Sequence, residues 1–138
     1  MSAAPVSPQT AITYIMVTMS AADRDMSDAE LKKIGDLVRM LPLFRGSDED
    51  RFMTAVQECC AILEERDGLA TIFGLVRDSL PTHLRETAYA MAVEVAAADL
   101  SVGQEELRLL QMLRDELAID RLAAAAIERS AKARYVTL

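Results

Sequence analysis

An all-α fold is what this sequence predicts, and three observations carry the prediction. Apolar residues recur at helical spacing along nearly the whole chain, and no stretch shows the period-two alternation of a strand. Aromatics make up only 4% of 138 residues and Trp is absent, so Ala, Leu, Met and Val must fill the core. Those side chains favour closely packed helices. The third observation is an internal repeat. An offset of 76 residues brings Ala22, Asp23, Glu30 and Leu31 onto Ala98, Asp99, Glu106 and Leu107. Leu37 and Leu41 meet Leu113 and Leu117, and Ile34 meets Leu110. The reading is a compact bundle of about seven helices with a duplicated helix pair, in one domain over 1–138 with loose tails at 1–6 and 134–138.

Each element has a local reason. Ser7 can N-cap a first helix, with Pro8 at its first position where the missing N–H costs nothing. Ile12, Ile15, Met16, Met19 and Ala22 then form its apolar stripe. Ser27-Asp-Ala-Glu30 has the form of a capping box, opening a second helix that turns Leu31, Ile34, Leu37, Val38 and Leu41 inward. Pro42 ends it, and the apolar residues of Leu41–Gly46 fold back on the core. Ser47 caps a third helix, with Asp48, Glu49 and Asp50 favouring its positive end. Phe52, Val56, Cys59 and Leu63 form its stripe. Asp67-Gly68 breaks the chain before a shorter fourth helix carrying Leu69, Ile72, Phe73, Val76 and Leu80.

Pro81 opens the fifth helix. Residues 86–99 are apolar on nearly every side, which predicts that this helix is the central one. The sixth turns Leu107, Leu110, Leu113 and Leu117 inward. Asp120 caps a seventh, with Leu122, Ala126 and Ile127 facing the core. The repeat further predicts burial of Leu31 with Leu107, and of Leu37 with Leu113.

Composition excludes several classes of function. Apolar residues at 51% argue against disorder. A net charge of −7 argues against nucleic acid, which needs clustered Lys and Arg, and permits a cation or a basic protein partner. No run approaches the roughly 20 apolar residues of a membrane span, and the N-terminus lacks a secretory pattern. Cys59 and Cys60 are adjacent and poorly placed for a mutual disulfide. Reduced thiols and a cytoplasmic location are the expectation. A single histidine, His83, gives no basis for a His-rich metal site or a catalytic triad, and no Gly-rich loop cradles phosphate.

The remaining chemistry lies in acidic residues. Asp23, Asp25, Asp28 and Glu30 place four carboxylates within eight residues, and Ca²⁺ and Mg²⁺ favour such oxygen ligands. The spacing is not that of an EF-hand. The second copy keeps Asp99, Glu105 and Glu106 but has Ser101 and Gln104 in place of two acids. The competing reading is that these carboxylates only cap helix N–H groups. Glu94 lies inside the apolar fifth helix. It is either a ligand or proton-handling group, or a structural residue, paired with an inward-facing Arg or placed at an edge in water. Cys59 and Cys60 are either thiolate nucleophiles or core filling, the second being favoured.

Two Ala-Asp turns, each followed seven residues later by Glu, in a small all-helical chain resemble the tellurite-resistance TerB-like family. The resemblance covers roughly residues 10–130. It implies a compact cytoplasmic helical protein tied to tellurite and other chemical stress, with acidic residues proposed to bind divalent cations. The family's usual turn reads Ala-Asp-Gly, and here Arg24 and Leu100 stand in place of the Gly. The expectation is a non-catalytic stress-response module that binds Ca²⁺ or Mg²⁺ weakly through Asp23, Asp25, Asp28, Glu30, Asp99 and Glu106. The alternative is an acidic protein-interaction scaffold without a metal site.

Overall fold

A computed structural model describes residues 5–22, 26–98 and 103–138. Among them there are seven α-helices and no strand. They are α1 (Pro8–Ser20), α2 (Asp28–Met40), α3 (Glu49–Leu63), α4 (Gly68–Ser79), α5 (Thr82–Ala98), α6 (Gln104–Glu116) and α7 (Arg121–Arg134). A short 3₁₀ turn, Pro42–Phe44, follows α2 and buries Phe44. No helix among the described residues is long and apolar enough to cross a membrane.

Side-chain caps start most of these helices. Ser7 Oγ accepts the Thr10 N–H at 3.1 Å, and Ser27 Oγ accepts the Glu30 N–H at 3.1 Å. Asp120 accepts the N–H groups of Leu122 and Ala123 at 3.1 and 3.2 Å. At α3 the cap is Asp48, not Ser47: its Oδ1 accepts the Arg51 N–H at 2.7 Å. A carboxylate makes the stronger, charge-assisted bond to a helix N–H. Gly68 opens α4 because nothing larger fits. An added Cβ would lie 2.1 Å from the Ile62 carbonyl oxygen.

The enclosed helix is α1, which corrects the expectation that the fifth helix is central. Every residue of α1 from Ala11 to Met19 is buried, and α1 packs against α2, α3, α4 and α5. Helix α1 carries no charged residue, and its two enclosed threonines are satisfied internally. Thr13 returns its hydroxyl to the Gln9 carbonyl at 2.9 Å, and Thr18 meets Cys59 Sγ at 3.7 Å. Their polar atoms are satisfied within the core, so burial carries little penalty. Helix α5 packs on α1, α6 and α7 and buries Ala88, Tyr89, Ala92, Val93 and Ala96.

Tertiary hydrogen bonds fix the helix directions. Gln9 reaches the Leu43 carbonyl while Ser20 reaches Glu30, so α1 and α2 are antiparallel. Tyr89 bonds Glu128 and Glu94 meets Tyr135, so α5 and α7 run the same way. Arg85, at the start of α5, donates to the Leu117 carbonyl beyond the end of α6. The Val6 N–H meets Ser79 Oγ, setting the end of α4 beside the start of α1. The chain therefore rises and falls in turn. The C-terminal ends of α1, α3, α5 and α7 share one end of the bundle with the N-terminal ends of α2, α4 and α6.

Three inward faces differ from expectation. In α6, Leu107 is 52% exposed, whereas Leu109, Leu113 and Leu117 are buried. Glu106 is itself buried, and its carboxylate accepts the Gly103 N–H at 3.0 Å. That bond holds Glu106 inward and turns the neighbouring Leu107 about 100° away. Leu31 and Leu37 are only partly buried, and Ile34 and Val38 are the enclosed residues of α2. In α7, Leu122 and Ala126 face solvent, Ile127 is partly buried, and Ala124 and Ala131 are enclosed. Small side chains there allow close approach to the Ala-rich face of α5.

Candidate functional site

The acidic turns divide between described and undescribed residues. Asp23, Asp25 and Asp99 lie outside the described residues, as does Ser101. Asp28, Glu30, Glu105 and Glu106 lie in the first turns of α2 and α6. There, negative charge meets the positive ends of the helix dipoles.

Glu30 ties two helices together. Its Oε2 accepts the Ser20 hydroxyl at 2.7 Å, and its Oε1 accepts the Ser27 hydroxyl at 3.1 Å. One carboxylate thus joins the end of α1 to the start of α2. Glu106 occupies the matching place in α6 and spends one oxygen on the Gly103 N–H. Gly103 can offer no side-chain cap in return. The two turns are therefore built differently at residues that correspond in sequence. Asp28 is exposed on the first turn of α2.

The ends of the bundle relate the two turns. Ala22 and Met26 flank the first, Ala98 and Gly103 the second, and all four stand at the same end. Lys33 of α2 donates to the Ala98 carbonyl at 3.2 Å. This bond bridges the two helix pairs at that end and supplies a cation to the C-terminal carbonyls of α5, where positive charge is favoured. Among the described residues, no three His, Cys, Asp or Glu side chains gather closely enough to hold a metal ion.

Glu94 lies one turn before the end of α5. Its side chain is 13% exposed and ion-paired with Arg134. The Tyr135 hydroxyl donates to its other oxygen at 2.8 Å. The carboxylate is therefore engaged in holding the end of α7, and residues 134 and 135, read from sequence as loose, are docked on α5. Burial and the bond to Glu94 push the Tyr135 hydroxyl above its usual range.

The cysteines serve the core. Cys59 is enclosed between α1 and α3, with Sγ 3.5 Å from the Tyr14 carbonyl oxygen. Burial pushes its thiol up to about 12, only partly offset by the Thr18 hydroxyl. At neutral pH it is a protonated, sheltered thiol and a poor nucleophile. His83 is exposed in the first turn of α5.

Sequence reasoning did not find the Tyr89–Glu128–Arg114 cluster. Tyr89 OH donates to Glu128 at 2.6 Å and Arg114 to the same oxygen at 3.2 Å. Burial, then the bond to Glu128, raises the Tyr89 pKa. No local motif announces this group, because its members come from α5, α6 and α7. The one available signal was a Tyr inside an Ala-rich helix, since a buried Tyr hydroxyl needs a partner.

No family model, no characterised protein and no solved structure matches the chain.

Proposed function

We propose that this chain is a non-catalytic, cytoplasmic TerB-like module of a tellurite or chemical stress response. It binds a divalent cation weakly through its acidic turns. The observation that carries the reading is the shared end of the bundle: helix ends flanking Asp23 and Asp99 lie together, bridged by Lys33 and Ala98. Two further features support a duplicated origin. The bounds of α2, moved by 76 residues, coincide with those of α6. Helix α1 packs with α2 and α3 as α5 packs with α6 and α7.

The ligands are carboxylates, so Ca²⁺ and Mg²⁺ are preferred to zinc or copper. Asp23 and Asp25 are the first ligands, because Glu30 is held by two serine hydroxyls. Glu106 is held by its cap, so the second turn binds less well. Water completes the shell, and affinity falls near 10⁻⁴–10⁻³ M, roughly the weak range for calcium modules. The protonated state of Cys59 supports a binding role over thiol catalysis.

The interaction scaffold is favoured by a different observation, namely that Glu30 and Glu106 already serve the helix starts. Calorimetric titration with Ca²⁺ and with Mg²⁺ separates the two readings. Saturable binding that disappears in Asp23→Asn/Asp25→Asn, with helical content unchanged, supports the cation module. Heat that merely scales with ionic strength reflects screening of the −7 charge and leaves the scaffold.

A further inference from the structure

The second three-helix unit holds the larger of two grooves that lie at corresponding places in the two units. It runs along α5 between α6 and α7, with a cavity volume of about 560 Å³. That is within the size range of small-molecule sites. Its floor is narrow and apolar, made by Val93, Ala96 and Ala97 of α5 and Ala131 of α7. Leu107 and Leu110 form one wall, and Val136 stands on the facing lip. Leu107 and Val136 are exposed large apolar side chains. At the 76-residue offset Leu110 corresponds to Ile34, which is enclosed, and Glu128 to Phe52, which packs against the core. The first unit has a smaller cavity at the corresponding place, about 380 Å³, lined by Thr13, Gly35, Val38, Phe52 and Ala55; the wider, more aliphatic slot belongs to the second.

The polar groups of the groove limit what it can hold. The hydroxyls of Tyr89 and Tyr135 are engaged with Glu128 and Glu94. Arg114 is paired with Glu128, so no guanidinium is free to fork onto a phosphate. Lys132 is the remaining charged group of the lining, exposed and without an ion pair among the described residues. It stands on a basic segment: residues 121–138 carry four Lys and Arg against one acid, in a chain of net charge −7.

An aliphatic slot with one uncompensated ammonium suits a monoanionic amphiphile. We propose that this groove binds an aliphatic carboxylate, a free fatty-acid-like chain lying on Ala96, Ala97 and Ala131 with its head group on Lys132. This is independent of the cation reading of the acidic turns.

The test is an amide-shift titration of the full chain with dodecanoate and with dodecyltrimethylammonium, both below micelle formation. The comparison is stringent, since the net charge of the protein favours the ammonium. Dodecanoate should give saturable shifts centred on Val93, Ala97, Leu110 and Lys132, with affinity at least about tenfold above the ammonium compound. Lys132→Glu should invert that preference, and Leu107→Asp should weaken both ligands. Both positions are exposed, and helical circular dichroism verifies the fold. Equal affinity for the two amphiphiles, scattered shifts, or an unchanged preference in Lys132→Glu would overturn the proposal. So would a groove that takes an acidic amphipathic peptide helix but no dodecanoate, which would make it a protein-docking surface.

Discussion

Glu106 and Leu107 are neighbours whose burial runs against their polarity. The acid is 7% exposed and the leucine 52%. The reason is local: Gly103 has no side chain to cap α6, so Glu106 supplies the bond from within the helix. Sequence periodicity accommodates either face, because Leu107, Leu109, Leu110 and Leu113 are all apolar, and only the cap decides between them. Leu107→Ala should therefore change stability by no more than about 0.5 kcal/mol. Leu113→Ala should cost about 2–5 kcal/mol, because Leu113 is 1% exposed. Urea denaturation of the two variants measures both. Cys59 gives a pH-dependent counterpart. Its thiol is raised from 9.0 to about 12 in the folded protein, so the native state holds its proton longer than the unfolded chain. The resulting stability is complete below pH 9 and is lost as pH rises towards 12. Alkaline unfolding curves of the parent and of Cys59→Ala should converge over that window, with the parent losing stability more steeply.

Helix boundaries were legible where a short polar side chain precedes an apolar run, as at Ser7, Ser27 and Asp120. The start of α3 was shifted by one residue because Ser47 and Asp48 are both good caps and only geometry separates them. Inward faces were less legible where Ala dominates. In α7, Leu122 is the largest apolar residue of the first turn, yet it is 78% exposed. Four consecutive alanines carry no periodic signal, and close packing on α5 selects Ala124 and Ala131 instead. The end of α6 shows a conformation that sequence could not announce. Ala118 has φ of 51°, in the left-handed region normally given to Gly. Ile119 N–H bonds the Arg114 carbonyl and Ala118 N–H the Asp115 carbonyl, the pairing of a Schellman motif. The buried Ile119 side chain anchors it. Ala118→Gly should relieve the strain and stabilise the protein by roughly 0.5–1 kcal/mol, read as a raised thermal midpoint.

At the scale of the molecule, the all-helical class and the helix count followed from periodicity and from the scarcity of aromatics. The helix at the centre did not follow from them. Residues 86–99 owe their apolar look to a run of Ala, yet they include Glu86, Glu94 and Asp99, whereas α1 carries no charged residue and buries Thr13, Tyr14 and Thr18 along with its aliphatic side chains. The repeat was visible as an offset in sequence, and of the helix bounds only those of α2 and α6 coincide at it. Burial keeps it only in the first helix of each pair. Ile12, Met16 and Val17 are enclosed like Ala88, Ala92 and Val93, whereas the faces of α2 and α6 are rotated by one residue. The alternating helix directions bring the described residues that flank both acidic turns, Ala22 and Met26, Ala98 and Gly103, to one end of the bundle. Paramagnetic broadening by Mn²⁺, a hard cation that takes oxygen ligands, tests a cation site at that end directly. Substoichiometric Mn²⁺ should broaden the amides of Ala22, Met26 and Asp28 first and those of Ala98 and Gly103 with them. Gly46, Leu80 and Ile119 at the opposite end should stay sharp. Broadening that reaches both ends alike, or that persists unchanged in Asp23→Asn/Asp25→Asn, would contradict a cation site at the acidic end.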